Sequence, residues 1–289
     1  MKRLDKTEFI FKLLSYALLT IFALACLYPF IYILVNSISS KEATYDANIY
    51  LWPDAFNISA YQYAFEQKAF WLAYCNSFFI TIYGTLVSML VGICGAYALS
   101  KKRLMFGRGF NFMLVFTMWF SAGMIPTYQN FIRFGVTNMY MFIIALGFNA
   151  FNIILLRNYF SSISSEIEEA ATIDGATEFQ ILTKVYVPMS KSSIVTVAMF
   201  YAVARWNGYL WSQMILNPTD YPLTVYIRRT IEDTVTKIEE NPQLQAQAPY
   251  STYSLRYAFI VCSIIPIIVI YPKLQKYFAA GVNVGGVKE

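Results

Sequence analysis

Four carboxylates, Glu166, Glu168, Glu169 and Asp174, fall within nine residues, followed at once by Gly175-Ala176 and then by Val187-Pro188. The rest of the composition decides what such acids can do. The chain has no histidine, and Cys26, Cys75, Cys94 and Cys262 are scattered with no CxxC among them. A zinc site or a Cys–His nucleophile therefore lacks its ligands or base, and a Ser-His-Asp triad is excluded. No G-x-x-x-x-G-K-[ST] occurs, so the chain carries no P-loop for ATP. Recognition remains: a charged, helix-forming segment between two long apolar stretches offers a surface on which something docks.

The segment reads as two short helices. Ser164 or Ser165 caps the first, and Glu166, Glu168 and Glu169 near its start suit the helix dipole. This helix is predicted to run to about Asp174, where Gly175 permits a turn that other residues resist. A second is expected over about 177–186, ending before Pro188. Small side chains at Ala170, Ala171 and Ala176 leave room for another surface. The competing reading is an amphipathic helix lying on a membrane face.

The elements that must hold this loop are apolar. Of 289 residues, 57% are hydrophobic, 18% aromatic and 13% charged, and the mean hydropathy is +0.47. A soluble domain carries about 25% charged residues. Stretches at 13–36, 71–99, 110–129, 139–156, 194–216 and 255–271 are each long enough to cross a hydrocarbon core of about 30 Å as a helix. Helices are the default there because lipid offers the backbone no partners. The predicted fold class is all-α, a single polytopic membrane domain over 1–289 with six transmembrane helices. Pro29, Pro126 and Pro266 are expected to kink or end spans. Carboxylates are nearly absent from the spans, which argues against a proton-relay carrier. The net charge is +5, with basic residues at span ends rather than in a patch for nucleic acid.

With the N-terminus inside, 14 of the 22 Lys and Arg lie on the inner side, including Lys101-Lys102-Arg103; seven lie outside and Arg205 lies within the fifth span. The positive-inside rule then places both termini and the 160–190 loop in the cytoplasm. Ala23-Leu24-Ala25-Cys26 hints at a lipoprotein cleavage site, but the apolar run continues to Val35, so the first span reads as an uncleaved anchor. The outer loop at 217–254 holds four prolines, Arg228-Arg229 and several acids. It is too long for a simple connector, and either contacts a partner or is a partly helical surface loop.

Glu169-Ala170-Ala171, Asp174-Gly175-Ala176 and Val187-Pro188 have the glycine six residues after the glutamate and the proline thirteen after the glycine. This pattern resembles the EAA loop of bacterial ABC importer permeases. The likeness covers nearly the whole chain. Asn76-Ser77, Ala96-Tyr97-Ala98-Leu99-Ser100 and Trp206-Asn207 are similar to carbohydrate permeases. Leu51-Trp52-Pro53, the long loop before the last span and the tail from Gln275 through Lys288 resemble the smaller permease of maltose-type importers, in the LplC/YtcP-type branch.

The resemblance implies a type I ABC importer permease, a transport subunit and not an enzyme. Its loop would sit in a groove of a cytoplasmic ATPase dimer. Glu169 would face basic groups, Gly175 would shape the bend, and Glu168, Ala170, Ala171, Asp174, Ala176 and Pro188 would lie alongside. ATP closure would move the loop and spans four and five as a lever. ATP and Mg would be bound by that partner, with no cofactor in this chain. A second permease in a heterodimer, an extracytoplasmic solute-binding protein, membrane lipid and an oligosaccharide substrate complete the implied partners, in a bacterial cytoplasmic membrane. The tail at 281–289 would reach the ATPase, and the loop before span six would reach the binding protein. Rival readings are a permease for another solute, an ATP-independent channel or secondary carrier, and a structural scaffold; the loop spacing argues against the last two classes.

A transport path is harder to read. Helical spacing groups Tyr201, Arg205, Tyr209 and Ser212 on one face. Rings and hydroxyls suit sugars, and an arginine suits a uronate carboxylate. In the other reading Arg205 pairs with a neighbouring helix or with backbone carbonyls. Trp206 and Asn207 carry the same ambiguity.

Overall fold

The computed structural model describes residues 6–45, 51–240 and 242–282, and all regular elements among them are helical. In chain order these are α1 (Lys6–Ser37), α2 (Lys41–Tyr45), α3 (Ser59–Glu66), α4 (Lys68–Ser100), α5 (Gly107–Trp119), α6 (Met124–Arg133), α7 (Met139–Ala145) and α8 (Ala150–Ser161). There follow α9 (Ser165–Ile173), α10 (Glu178–Ile181), α11 (Val187–Met189), α12 (Lys191–Trp206), α13 (Leu210–Ile215), α14 (Leu223–Glu240), α15 (Pro242–Gln247) and α16 (Thr252–Val282). A π-turn at Leu182–Tyr186 joins α10 to α11. Lys2, Arg3 and the tail beyond Val282 lie outside the described residues.

By length and composition α1, α4 and the Thr252–Pro272 part of α16 are each able to cross a membrane alone. Up to six crossings result only if bent pairs count as one: α5 with α6 at 118°, α7 with α8 at 52°, and Glu178–Met189 with α12 at 86°. The stretches read as single spans at 110–129, 139–156 and 194–216 are each interrupted. At 13 residues, α5 is about 20 Å long, short of a core of about 30 Å. The chain turns through Gly123, whose φ of +87° is one that favours glycine. Pro126 does not make this bend: it sits in the first turn of α6, where no backbone donor is lost. Pro29 and Pro266 lie inside α1 and α16 without ending them. Asn138 and Asn149 restart α7 and α8 by accepting the backbone N–H of Met141 and Asn152. The fifth stretch breaks at Asn207–Tyr209, between α12 and α13.

The chain forms two compact units, one of Met1–Phe70 with Ile227–Ile265 and one of Trp71–Tyr226 with Pro266–Glu289. In the first, the 246–249 segment is tied down. Lys41 Nζ donates to the carbonyls of Ala246 and Ala248 at 3.1 and 3.0 Å, and Asn57 and Ser59 both donate to Pro249 at 2.9 Å. Ser37 and Tyr61 share a hydrogen bond of 2.7 Å, and Phe70 stacks on Phe259.

In the second unit α8 packs against α5 and α12, and α4 joins them in a shared cluster. Gly84, Gly92 and Gly95 turn bare backbone to neighbours: a Cβ on Gly84 would lie 3.0 Å from Arg205 Nε, and one on Gly92 3.7 Å from Leu156 and Tyr201. Small residues at such positions let helices approach closely in lipid. Around them Tyr97, Leu156, Phe160, Ile181, Tyr186, Val197 and Tyr201 form one buried cluster joining α4, α8, the 160–190 loop and α12. Asn76 donates to the Thr219 carbonyl at 2.9 Å and Ser77 accepts from the Leu223 N–H at 2.7 Å, fixing the chain between α13 and α14.

Candidate functional site

The 160–190 loop starts where its cap predicts: Ser164 accepts the N–H of Glu166, and α9 runs to Ile173. It ends in a Schellman arrangement. Ala176 N–H bonds Ala171 O and Gly175 N–H bonds Thr172 O, both at 3.0 Å, with Gly175 at φ +79°. Thr177 and Gln180 then form a reciprocal capping box that starts α10. The helix expected to stop before Pro188 instead passes through it. The π-turn supplies the reason. Val187 N–H reaches back five residues to Leu182 O, and the widened turn relieves the clash that a proline makes with the carbonyl four residues earlier.

The two neighbouring glutamates separate. Glu169, Ala170, Asp174, Gly175 and Pro188 are exposed, whereas Glu168, Ala171 and Ala176 turn toward the protein. Ala171 and Ala176 pack on the buried cluster, closing the Schellman turn rather than leaving room for another surface. The outer face also carries Ile173 at 86% exposure and Phe179 at 73%, two apolar side chains absent from the sequence-based list. Their signal was present: Ile173 lies four residues after Glu169, on the charged face of the helix.

Glu168 enters a closed network. Its carboxylate pairs with Lys101 Nζ at 2.7 Å and accepts from the Tyr186 hydroxyl at 2.6 Å, with Arg103 at 3.7 Å. The Lys101 side chain is only 8% exposed. Its ammonium lies over the rings of Tyr97 and Tyr186, 4.0 and 4.2 Å from their centres. Tyr97 donates to Glu178 at 2.6 Å, and Arg103 also binds Glu178. Burial pushes the Glu168 carboxyl up, but the hydrogen bonds from Lys101 and Tyr186 and the charges of Lys101 and Arg103 outweigh it, holding the group below its ordinary value.

The residues grouped as a transport path do not share one face. Arg205 is buried, and its Nη2 donates to Ser88 Oγ at 3.2 Å, Ile143 O at 3.3 Å and Leu146 O at 2.5 Å. The second two are carbonyls at the C-terminal end of α7, freed by the break before α8. The backbone reading of Arg205 is the one the geometry supports. No carboxylate pairs with it among the described residues. Tyr201 is buried in the α4–α8–α12 cluster. Asn207 ends α12, so helical spacing does not carry on to Tyr209, which packs on a separate cluster, or to buried Ser212, which bonds Gly208 O. Trp206 alone of the six lines an apolar cavity of about 380 Å³, with Phe78, Thr81, Thr85, Val203 and Ile270.

The sequence matches, over residues 1–284, the family described as the binding-protein-dependent transport system inner membrane component. It is 35% identical over 281 residues to the polygalacturonan/rhamnogalacturonan transport system permease protein YtcP of Bacillus subtilis (strain 168), covering 96% of this chain and 98% of that one. It is 34% identical to protein LplC of the same strain, with 90% and 88% covered. In fold it is similar, with a TM-score of 0.86 and 42% identity over 96% of its length, to a chain from the crystal structure of a bacterial ABC transporter involved in the import of the acidic polysaccharide alginate. The chain belongs to the binding-protein-dependent transport system inner membrane components, as a multi-pass membrane permease subunit and not an enzyme.

Proposed function

We propose that this chain is the smaller permease of an ABC importer for oligosaccharides, acidic ones in particular. It works beside a second permease, an ATPase dimer that binds ATP and Mg, and an extracytoplasmic solute-binding protein. The carrying observation is the outward face of the loop. Glu169, Ala170, Ile173, Asp174, Gly175 and Phe179 stand exposed on a segment whose other face is locked into the core. Such a ridge is built to be held by another protein: an acid for basic groups, a glycine at which no Cβ is needed, and two apolar anchors. The acidic class of cargo is supported by the names of the relatives, which handle polygalacturonan, rhamnogalacturonan and alginate.

In this reading both termini and the ridge are cytoplasmic. The 217–254 segment faces the binding protein, and its anchoring on Lys41, Asn57 and Ser59 holds it in place for that contact. ATP-driven closure of the ATPase moves the ridge, and a rigid-body shift of the attached helices alternates access. Glu169→Lys and Gly175→Asp are expected to abolish ATP-dependent uptake of galacturonate oligomers into membrane vesicles, with the protein still inserted. Normal uptake in both variants would sink the role of the ridge, and failure of an ATPase to co-purify with the wild-type chain would sink the importer reading.

A further inference from the structure

The stroke received by the loop is expected to pass to the two spans that flank it in sequence. The side chains point to a third. Lys101 lies one residue beyond the end of α4, far from the loop in sequence, yet it is nearly enclosed. It is paired with Glu168 of α9 at 2.7 Å and sandwiched between Tyr97 of α4 and Tyr186 of the π-turn. Tyr97 and Arg103 from the same end of α4 hold Glu178, at the start of the loop's second arm. Tyr97 and Tyr186 meet edge to face at 5.0 Å, and Phe160 of α8 closes on Tyr186 at 5.6 Å. Both arms of the loop are therefore bound to the end of α4 by charge-assisted contacts; the Lys101–Glu168 pair is enclosed, the setting in which such contacts are strongest, while the Arg103–Glu178 pair is exposed.

We infer that Lys101 is a positioning residue that latches the loop to α4, so that the stroke drives α4 together with α8 and α12. A single lysine in this place does what a surface anchor cannot. It joins three segments at once, and removing it leaves Glu168 a half-buried carboxylate without its closest cation. The neighbouring Lys102 is exposed and provides a charge control at the same end of the helix. The lysine cluster read from sequence as a membrane-orientation anchor thus has a second use, confined to its first member.

The inference rests on the importer reading, and its test separates the two. The intact importer complex carrying Lys101→Met, Lys101→Arg or Lys102→Met is reconstituted in proteoliposomes, with galacturonate oligomers as cargo. Two quantities are read: hydrogen exchange of the 165–189 amides, and ATP hydrolysed per oligomer imported. Lys101→Met is expected to speed loop exchange and raise ATP consumption per oligomer by about fivefold or more, the span of ordinary coupling strengths. Lys101→Arg, which keeps the charge between the rings, is expected to restore most of both, and Lys102→Met to match wild type. If Lys101→Met does not assemble, Glu168→Gln keeps the lysine in place and is read in the same way. Wild-type exchange and wild-type ATP consumption in Lys101→Met overturn the latch. Absence of ATP-dependent uptake in the wild-type complex overturns the importer reading, and loop exchange still judges the latch.

Discussion

At the scale of single residues, the loop divides its acids by the company they keep. Glu168 and Glu169 are adjacent and chemically identical, and no property of the pair in the sequence says which turns inward. The choice is made by Lys101, Arg103 and Tyr186, which are distant in sequence and meet only in the fold. Their effect on Glu168 has a testable pH signature. Its carboxyl is held below its ordinary value, so the ionised form favours the docked loop. That contribution is complete above the ordinary carboxylate value and is lost as the pH falls through the depressed one. Protection of the 165–189 amides is therefore expected to be flat near neutrality and to drop on acidification. Glu168→Gln should lower protection near neutrality by about 1.5–3 kcal/mol, the worth of hydrogen bonds to a charged group, and flatten the acid limb. An unchanged acid limb in that variant would place the titrating group elsewhere, with Glu178 the nearest candidate. Gly175 works on another principle. A Cβ there meets nothing within 4 Å, so within the chain Gly175→Ala costs only the strain of φ +79°, about 1–2 kcal/mol.

At the scale of elements, broken helices are what hydropathy hides. The interruptions at Phe120–Gly123, Leu146–Asn149 and Asn207–Tyr209 are themselves largely apolar or small, so a composition window runs straight across them. The caps did leave a trace, since Asn138 and Asn149 are polar residues in apolar surroundings placed to restart helices. Legible in the sequence were the long helices α1, α4 and α16, the Ser164 start and the Gly175 turn, because each depends on local chemistry. The bend angles and the partners of Arg205 depend on contacts across the fold, and the passage through Pro188 on a π-turn that no residue type marks; none of these was legible. Arg205 is the clearest case. Its guanidinium caps α7 by occupying carbonyls that lipid and apolar side chains cannot satisfy, with the charge set against the negative end of the helix. Arg205→Met is expected to destabilise the detergent-solubilised chain by about 3 kcal/mol, since each buried carbonyl left unpaired costs about 1–3 kcal/mol. Arg205→Lys should recover part of this, because one ammonium can still reach the α7 end. An unfolding midpoint for Arg205→Met equal to wild type would show that α7 does not depend on this cap.

At the scale of the whole chain, the long helices differ in how much of themselves they cover. Only 6% of the apolar window of α1 is buried within the chain, against 28% for α4 and for the last helix. In an importer permease that surface meets lipid or the second permease. The orientation expected from the charge pattern rests on lysines and arginines alone. Lys101 pairs with Glu168 and Arg103 with Glu178, but acids count little in the rule, so both still count beside Lys102 and Arg108. Those four, with Arg157, Lys184, Lys191 and the basic residues near both termini, make 14 against the seven assigned to the opposite side. Alkaline phosphatase fused after Phe56 or Asn217 is therefore expected to be active outside the cell, and fused after Met105 or Gly175 to be inactive. The reverse pattern would put the Glu169–Phe179 ridge outside, where no ATP is available, and the ridge would then have to belong to a different partner.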